Sequence, residues 1–414
     1  MNPGFQPGRR PDIAARQADL ATALVAKIAG AVARGRPADA ALREYFRDHP
    51  ECGSRDRRFL GDLVFSFFRW RGWLSAASLD QACALAWAFD AESPHPAGAA
   101  MAGDAALSPA GRLALAEKAA LAARRLNRTE PPRPEDLTPA WVPGCLACEA
   151  GPFLDAIQRR PPTWLRARRG QESAVRAALE REGIAVSAHP ALHSALAVPG
   201  SSPLPRLAPD VRALFEVQDL ASQVVGLLAA PRPGEHWGDA CAGSGGKALH
   251  LADLMDDRGR IFASDVRADA LRVLARRAAQ AGFSIIHAAR PGGALLDGVV
   301  VDAPCSGLGT WSRNPDARWR TAWADVQRLA ARQLDILARA STEVKAGGRL
   351  VYSVCTLTRL ETLEVTARFL RGHPEFRLEP GAHPVNGAET DGRFWVWPWD
   401  GPCDGMYVAR FRRG

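Results

Sequence analysis

The sequence predicts an α/β fold: a parallel sheet clothed in helices over the C-terminal half, preceded by an all-helical region and a small α/β module. Three observations carry that prediction. Residues 298–305 and 348–355 are apolar runs that read as buried parallel strands, each ending in a cysteine. Residues 319–345 between them carry a helical pattern, so strand, crossover helix and parallel strand follow in order. From about residue 216 strand and helix alternate, whereas residues 11–90 show helical periodicity only.

The elements follow from local signals. Ala15 to Ala33 is amphipathic, and a second helix runs to about Phe46 with Asp39 as its N-cap. A third enters at Ser54 and ends near Leu74. Residues 91–140 are rich in Ala, Pro and Gly and read as an insertion or long linker, with one helix near 111–126. The small module comprises a strand over 163–167, a helix over 172–182 and a strand over 184–186. The alternating region is read as helix 217–229, strand 236–241, helix 246–255, strand 260–264, helix 267–281 and strand 284–287, then the two cysteine-bearing strands. Residues 394–397 and 406–411 close the chain as an antiparallel pair. The expected domains are 1–145, 146–215 and 216–414, without internal repeats.

A chain of 414 residues, 47% hydrophobic, is long enough for two or three domains. Its formal charge of +8 points to a polyanionic partner, although solubility alone accounts for such a surplus. Lys27, Lys118, Lys247 and Lys345 are its lysines; every other basic residue is arginine. Arginine forks suit RNA, and a GC-rich genome produces the same bias. The eight cysteines show no small-domain disulfide spacing, Met1 to Arg16 lacks an apolar core, and no apolar run is long enough to span a bilayer. The expectation is a cytoplasmic monomer with free thiols and no membrane or metal partner. Cys145 and Cys148 form a lone CxxC without a second pair and are expected to pack. His189 and His193 stand four apart, but Pro190 breaks the helix that a metal pair would need.

Asp239 to Lys247 forms a glycine loop between a strand and its helix. Glycine lets a backbone approach a ligand closely and exposes helix N-terminal amides. Cys241, Ala242, Gly243, Ser244, Gly245, Gly246 and Lys247 are therefore candidate cofactor contacts. Asp265 ends the next strand, where a carboxylate accepts ribose hydroxyls; together they indicate an adenosine-bearing cofactor. A phosphate-binding P-loop is excluded, because Cys241 and Ala248 occupy its required Gly and Ser/Thr positions. Gly243, Gly245 and Ala248 fit a loose dinucleotide pattern, but thiols at strand ends have no role in hydride transfer. Strand C-termini of one parallel unit share a sheet edge, the ligand edge of open α/β folds. Cys305 and Cys355 thus indicate nucleophilic chemistry there.

Residues 239–247, 302–310 and 352–356, extended by 313–316, 319–320 and 404–407, resemble the Sun/RsmB-type S-adenosylmethionine-dependent RNA 5-methylcytosine methyltransferases. Arg55 to Phe59 and Phe68 to Arg71 resemble the NusB-like helical domain of 16S rRNA members. The resemblance implies a Rossmann-like class I methyltransferase domain, S-adenosyl-L-methionine as cofactor and small-subunit rRNA as partner. Carbon 5 of cytosine is a poor nucleophile; a thiolate adding at carbon 6 makes it enamine-like and able to take the methyl group. The resemblance assigns attack to Cys355, product release to Cys305, and contact with the cytosine ring edge and cofactor to Asp302. DNA cytosine methyltransferases attack with the Pro-Cys cysteine, so the reversed order is the alternative. The chain departs from the family pattern at Ser244, Val354, Arg359 and Thr362, and at 287–290, where an acid usually lies near the adenine. These departures motivate a second reading, a non-catalytic RNA-binding or assembly factor; tRNA, 23S rRNA, protein or DNA are the other substrates considered. Intact Asp302, Cys305, Cys355 and Lys247 favour the enzyme. Arg55, Arg57, Arg58, Arg69, Arg71, Arg166 and Arg168 are the expected RNA contacts, against the alternative of a merely solvated arginine face.

Overall fold

The computed structural model describes residues 13–91, 95–102, 109–200 and 202–414; part of the expected 91–140 insertion lies outside them. The chain packs as two units. The first holds the described residues up to Gly144 together with Ala150–Gln158 and Trp311–Ala322; the second holds the remainder. The small module therefore groups with the C-terminal sheet, and twelve residues from the middle of the C-terminal region group with the helices.

The first unit is helical: α1 (Ile13–Ala33), α2 (Ala38–Asp48), α3 (Ser54–Leu74), α4 (Leu79–Asp90), α5 (Pro96–Ala102) and α6 (Leu115–Arg125), followed by the short α7 (Val142–Cys145) and α8 (Ala150–Ala156). Ala21, Leu24, Val25, Ile28 and Val32 place one apolar stripe of α1 in the core, as a 3.6-residue period requires. They meet Phe68, Trp70 and Trp73 of α3 and Phe89 of α4. Ser78 caps α4 through Gln81, each side chain holding the other's backbone N–H. Asp39 does not cap α2. The helix begins one residue earlier, Asp39 pairs with Arg43 at 2.7 Å, and the Ala38 N–H is instead accepted by Asp316 at 3.0 Å.

Residues 311–322 are threaded through this unit. Arg318 is fully buried and donates to the carbonyls of Arg69, Leu137, Ile157 and Trp311 at 3.1–3.3 Å. Trp319 donates to the Phe68 carbonyl at 2.6 Å. The single helix expected over 319–345 is consequently split: α14 (Ala317–Arg320) belongs here, and α15 (Trp323–Ser341) lies in the second unit.

The second unit opens with an antiparallel sheet ordered β2-β3-β1-β4, formed by β1 (Thr163–Ala167), β2 (Ser187–Ala188), β3 (Ala195–Val198) and β4 (Phe215–Val217). Helix α9 (Glu172–Arg181) packs on it, and α10 (Pro209–Arg212) precedes β4. The strand expected at 184–186 is absent because Ile184 turns into the module's core with Val175 and Leu179; β2 follows it. Next come α11 (Leu220–Ala229), β5 (His236–Asp239), α12 (Gly246–Leu254), β6 (Arg260–Ala263), α13 (Ala268–Ala281), β7 (Ile286–His287), β8 (Leu296–Asp302), β9 (Val344–Val354) and α16 (Val365–Gly372). The tail adds β10 (Phe376–Leu378), β11 (Gly381–Ala382), β12 (Glu389–Thr390), β13 (Arg393–Val396) and β14 (Met406–Arg413).

The main sheet is ordered β10-β14-β9-β8-β5-β6-β7, with β13 beside β14. Strands β5 to β9 are mutually parallel, while β14 runs antiparallel to β9 and to β13. Val299, Val300 and Val301 are buried on both faces, the reason β8 reads as an unbroken apolar run. Sheet order reverses beside β5, so the crevice at the ends of β5 and β8 is the switch point where such sheets bind ligands.

Candidate active site

Four strand ends meet at that crevice. β5 delivers Asp239 and the glycine loop, β6 delivers Asp265, β8 ends in Asp302 and Cys305, and β9 ends in Cys355. The thiol sulfurs of Cys305 and Cys355 lie 3.4 Å apart. The contact with Cys355, and then burial, hold Cys305 well above the usual thiol range. Asp302 accepts from Lys247 at 2.6 Å and from Ser353 at 3.0 Å, with 32% of its side chain exposed. Burial works against the Lys247 charge, but Asp302 and Asp239 hold its ammonium above the usual value. Lys247 therefore acts on Asp302, and also reaches Ser222 at 3.0 Å, rather than facing outward from the loop.

The turns carrying the thiols are tied together by a residue with no role in the sequence reading. Glu361 is fully buried and accepts from the Ser306 backbone at 2.8 Å, the Ser306 hydroxyl, Gln333 at 3.0 Å, Thr356 at 3.2 Å and Thr358 at 2.9 Å. Ser306 follows one cysteine and Thr356 the other, so one carboxylate sets the spacing of both. The Gly309 N–H donates to the Cys355 carbonyl at 3.0 Å, and the Gly405 N–H donates to the Gly309 carbonyl at 2.9 Å. A Cβ on Gly309 would lie 2.0 Å from the Gly405 carbonyl oxygen, which requires glycine there. Cys145 and Cys148 flank a short backbone pairing with the turn after Cys355: Arg359 N–H to Cys145 O and Ala147 N–H to Leu357 O, both 2.8 Å. Burial pushes these thiols up to about 12 and about 11, as suits packing.

A cofactor can be tested against the loop. Gly243 and Gly245 have φ of 53° and 93°, the left-handed region that glycine tolerates. Asp239 is fully buried with both carboxyl oxygens lacking a hydrogen-bond donor. Burial pushes its carboxyl up to about 7 against the pull of Lys247. An orphaned acceptor under a glycine loop fits a donor-rich, cationic ligand. Asp265 already accepts from the Gly243 N–H at 2.8 Å and the Arg267 N–H at 2.9 Å; these bonds and the Arg267 guanidinium outweigh burial and hold it below its usual value. It thus shapes the loop as well as facing the crevice. Cys241 is pushed up to about 12 by burial and stays a neutral thiol.

Residues 226–412 match the family described as 16S rRNA methyltransferase RsmB/F. Through this segment the chain is similar to the RsmB/F methyltransferase family. A probable ribosomal RNA small subunit methyltransferase B of Synechocystis sp. is 35% identical over 212 residues, 48% of each chain. Its Bacillus subtilis counterpart is 36% identical over 214 residues, 48% of this chain and 47% of that one. The chain spans about half the length of these curated relatives. The solved structure of PH0851 covers 95% of this chain and 99% of its own at a TM-score of 0.73 and 23% identity, a likeness of fold.

The C-terminal sheet gathers the sequence-derived residues 239–247, 265, 302, 305 and 355 at one edge, but the expected RNA arginines scatter. Arg69 is buried against Asp90 and donates to the Ser312 carbonyl at 2.8 Å. Arg166 is buried, 2.5 Å from Asp253 and 2.8 Å from Gln218. Both are structural, a correction to their expected role: their charges are spent on internal acceptors. Arg168 packs on Phe283 and donates to Ala281, and Arg71 lies over Trp319. Arg55, Arg57 and Arg58 are exposed on α3. Among the described residues no helix is long and apolar enough to cross a membrane.

Proposed function

We propose that this protein transfers a methyl group from S-adenosyl-L-methionine to carbon 5 of a cytosine in RNA, with 16S rRNA as substrate and the helical unit acting as a NusB-like RNA-binding domain. The observation that carries this reading is the thiol pair at 3.4 Å beside an ion-paired Asp302. Bound over Asp239, the 241–247 loop and Asp265, the cofactor supplies an electrophilic methyl. Cys355 adds to carbon 6 as a thiolate, its negative charge favoured by the S–H of Cys305. Asp302, oriented by Lys247 and Ser353, accepts the amino N–H at the ring edge and orients the base. The Lys247 ammonium behind it offsets the negative charge of the adduct. Carbon 5 then takes the methyl. The carbon 5 proton then passes to solvent water, its electron pair re-forms the 5,6 double bond, and the Cys355 sulfur leaves as a thiolate beside Cys305.

Cys355→Ala is expected to abolish methyl transfer, and Cys305→Ala to accumulate a covalent protein–RNA adduct that survives denaturing electrophoresis. Full turnover by Cys355→Ala would refute the mechanism, and the adduct on Cys355→Ala instead would reverse the two roles. Bisulfite sequencing of total RNA from cells with and without the protein identifies the substrate: one methylcytosine should vanish from 16S rRNA. Its loss from tRNA or 23S rRNA would move the substrate and leave the chemistry standing.

A further inference from the structure

We propose that Trp395, Trp397 and Trp399 form a stacking platform for an unpaired nucleobase flanking the target cytosine. This rests on the RNA reading above. The three indoles are stacked and nearly parallel: 4.6 Å and 5° between the first two, 5.2 Å and 6° between the second and third. The column is rooted on buried Tyr407, 4.6 Å from Trp395, and ends at Trp399, which is 41% exposed. A column ending in the core would be ordinary packing; this one ends in solvent.

Its position ties it to the thiols. β13 and β9 both pair antiparallel with β14, so they run in the same direction and end at the same sheet edge. Trp395 lies opposite Tyr407, which lies opposite Val354, the residue before Cys355. The lateral offset is two strand spacings, about 10 Å. Trp397 and Trp399 continue past the strand end as Cys355 does. The loop between them is held there: a Cβ on Gly405 would lie 3.2 Å from Pro398, 3.0 Å from Leu357 and 3.2 Å from Gly309. Pro398 thus abuts the backbone that joins both cysteine turns. Trp397 is fixed further by its N–H to Asp400 at 3.2 Å.

The occupant follows from this placement. A cytosine brought to Cys355 must leave its stack, which splays the bases on either side. A flat indole at the same edge recovers stacking energy from such a base whatever its identity. Arg359, exposed in the Cys355 turn, supplies positive charge for the accompanying phosphate.

The test uses the full chain with Trp399→Ala and Trp399→Phe. Loss of the terminal ring should raise KM for RNA roughly 5- to 150-fold, with cofactor affinity and Tm unchanged. The Phe variant should recover most of the loss. An RNA lacking the flanking base should bind wild type and Trp399→Ala equally weakly. Unchanged KM in Trp399→Ala, with wild type active, overturns the platform, as does a fall in Tm that accounts for the whole defect. A wild type that methylates no RNA overturns the enzymatic reading instead. Unchanged RNA kinetics with lost binding of a protein partner would assign the face to protein recognition, also against the proposal.

Discussion

Cys305 and Cys355 are alike in exposure and share one sulfur–sulfur contact, which with burial raises the Cys305 thiol above the usual range. Asp239 is the carboxyl at the site that burial shifts upward, and this makes a pH prediction. The unfolded carboxyl ionises near 3.8, whereas the folded one holds its proton to about 7. Folding therefore takes up a proton between these values, and the stability this group contributes below pH 3.8 is lost as pH rises through 7. Thermal unfolding from pH 4 to 8 should show wild type losing Tm relative to Asp239→Asn across that window. Parallel curves for the two proteins would place the orphaned carboxyl in a solvated setting.

At the scale of elements, the two thiol turns are held by Glu361 as well as by their strands. Glu361→Gln leaves a donor amide facing five donors and should cost about 2–4 kcal/mol in urea unfolding. It should also lower kcat more than it raises KM, because the turns lose their common anchor; a change in KM alone would argue against this positioning role. Strands β8 and β9 were legible because burial on both faces leaves unbroken apolar runs, and the glycine loop because its backbone demands glycine. The grip of Glu361 was not. A buried carboxylate among Thr and Leu leaves no periodic signature, and the sequence showed only Glu361 followed by Thr362 in place of the family's Glu-Asn. Residues 394–397 were legible as a strand, but nothing in that pattern says a tryptophan stack continues past Pro398 to Trp399. Arg69 and Arg166 misled for the converse reason: arginine is so common here that position alone cannot separate a solvated fork from one closed on Asp90 or Asp253.

For the whole molecule, charge and connectivity make separate predictions. Reversing Arg55, Arg57 and Arg58 should flatten the salt dependence of RNA affinity by about 0.7–0.9 for each phosphate no longer neutralised; an unchanged slope would mark a solvated face. Arg318→Met removes the donor to four buried carbonyls and should cost about 3 kcal/mol or more. Hydrogen exchange should then quicken across the helical unit and residues 311–322 but not in β5, β8 and β9; uniform quickening would show that the two units unfold as one. The borrowed segment also has a consequence in time. Helices ending at residue 158 leave the ribosome well before residue 322 does. Synthesis of the intervening stretch, roughly 160 residues at about 5–20 per second, takes on the order of 10–30 s. Throughout that interval the nascent helical unit has a slot where Arg318 and Trp319 belong, and it can close only after β1 to β8 have been translated, with β9 to β14 still to come.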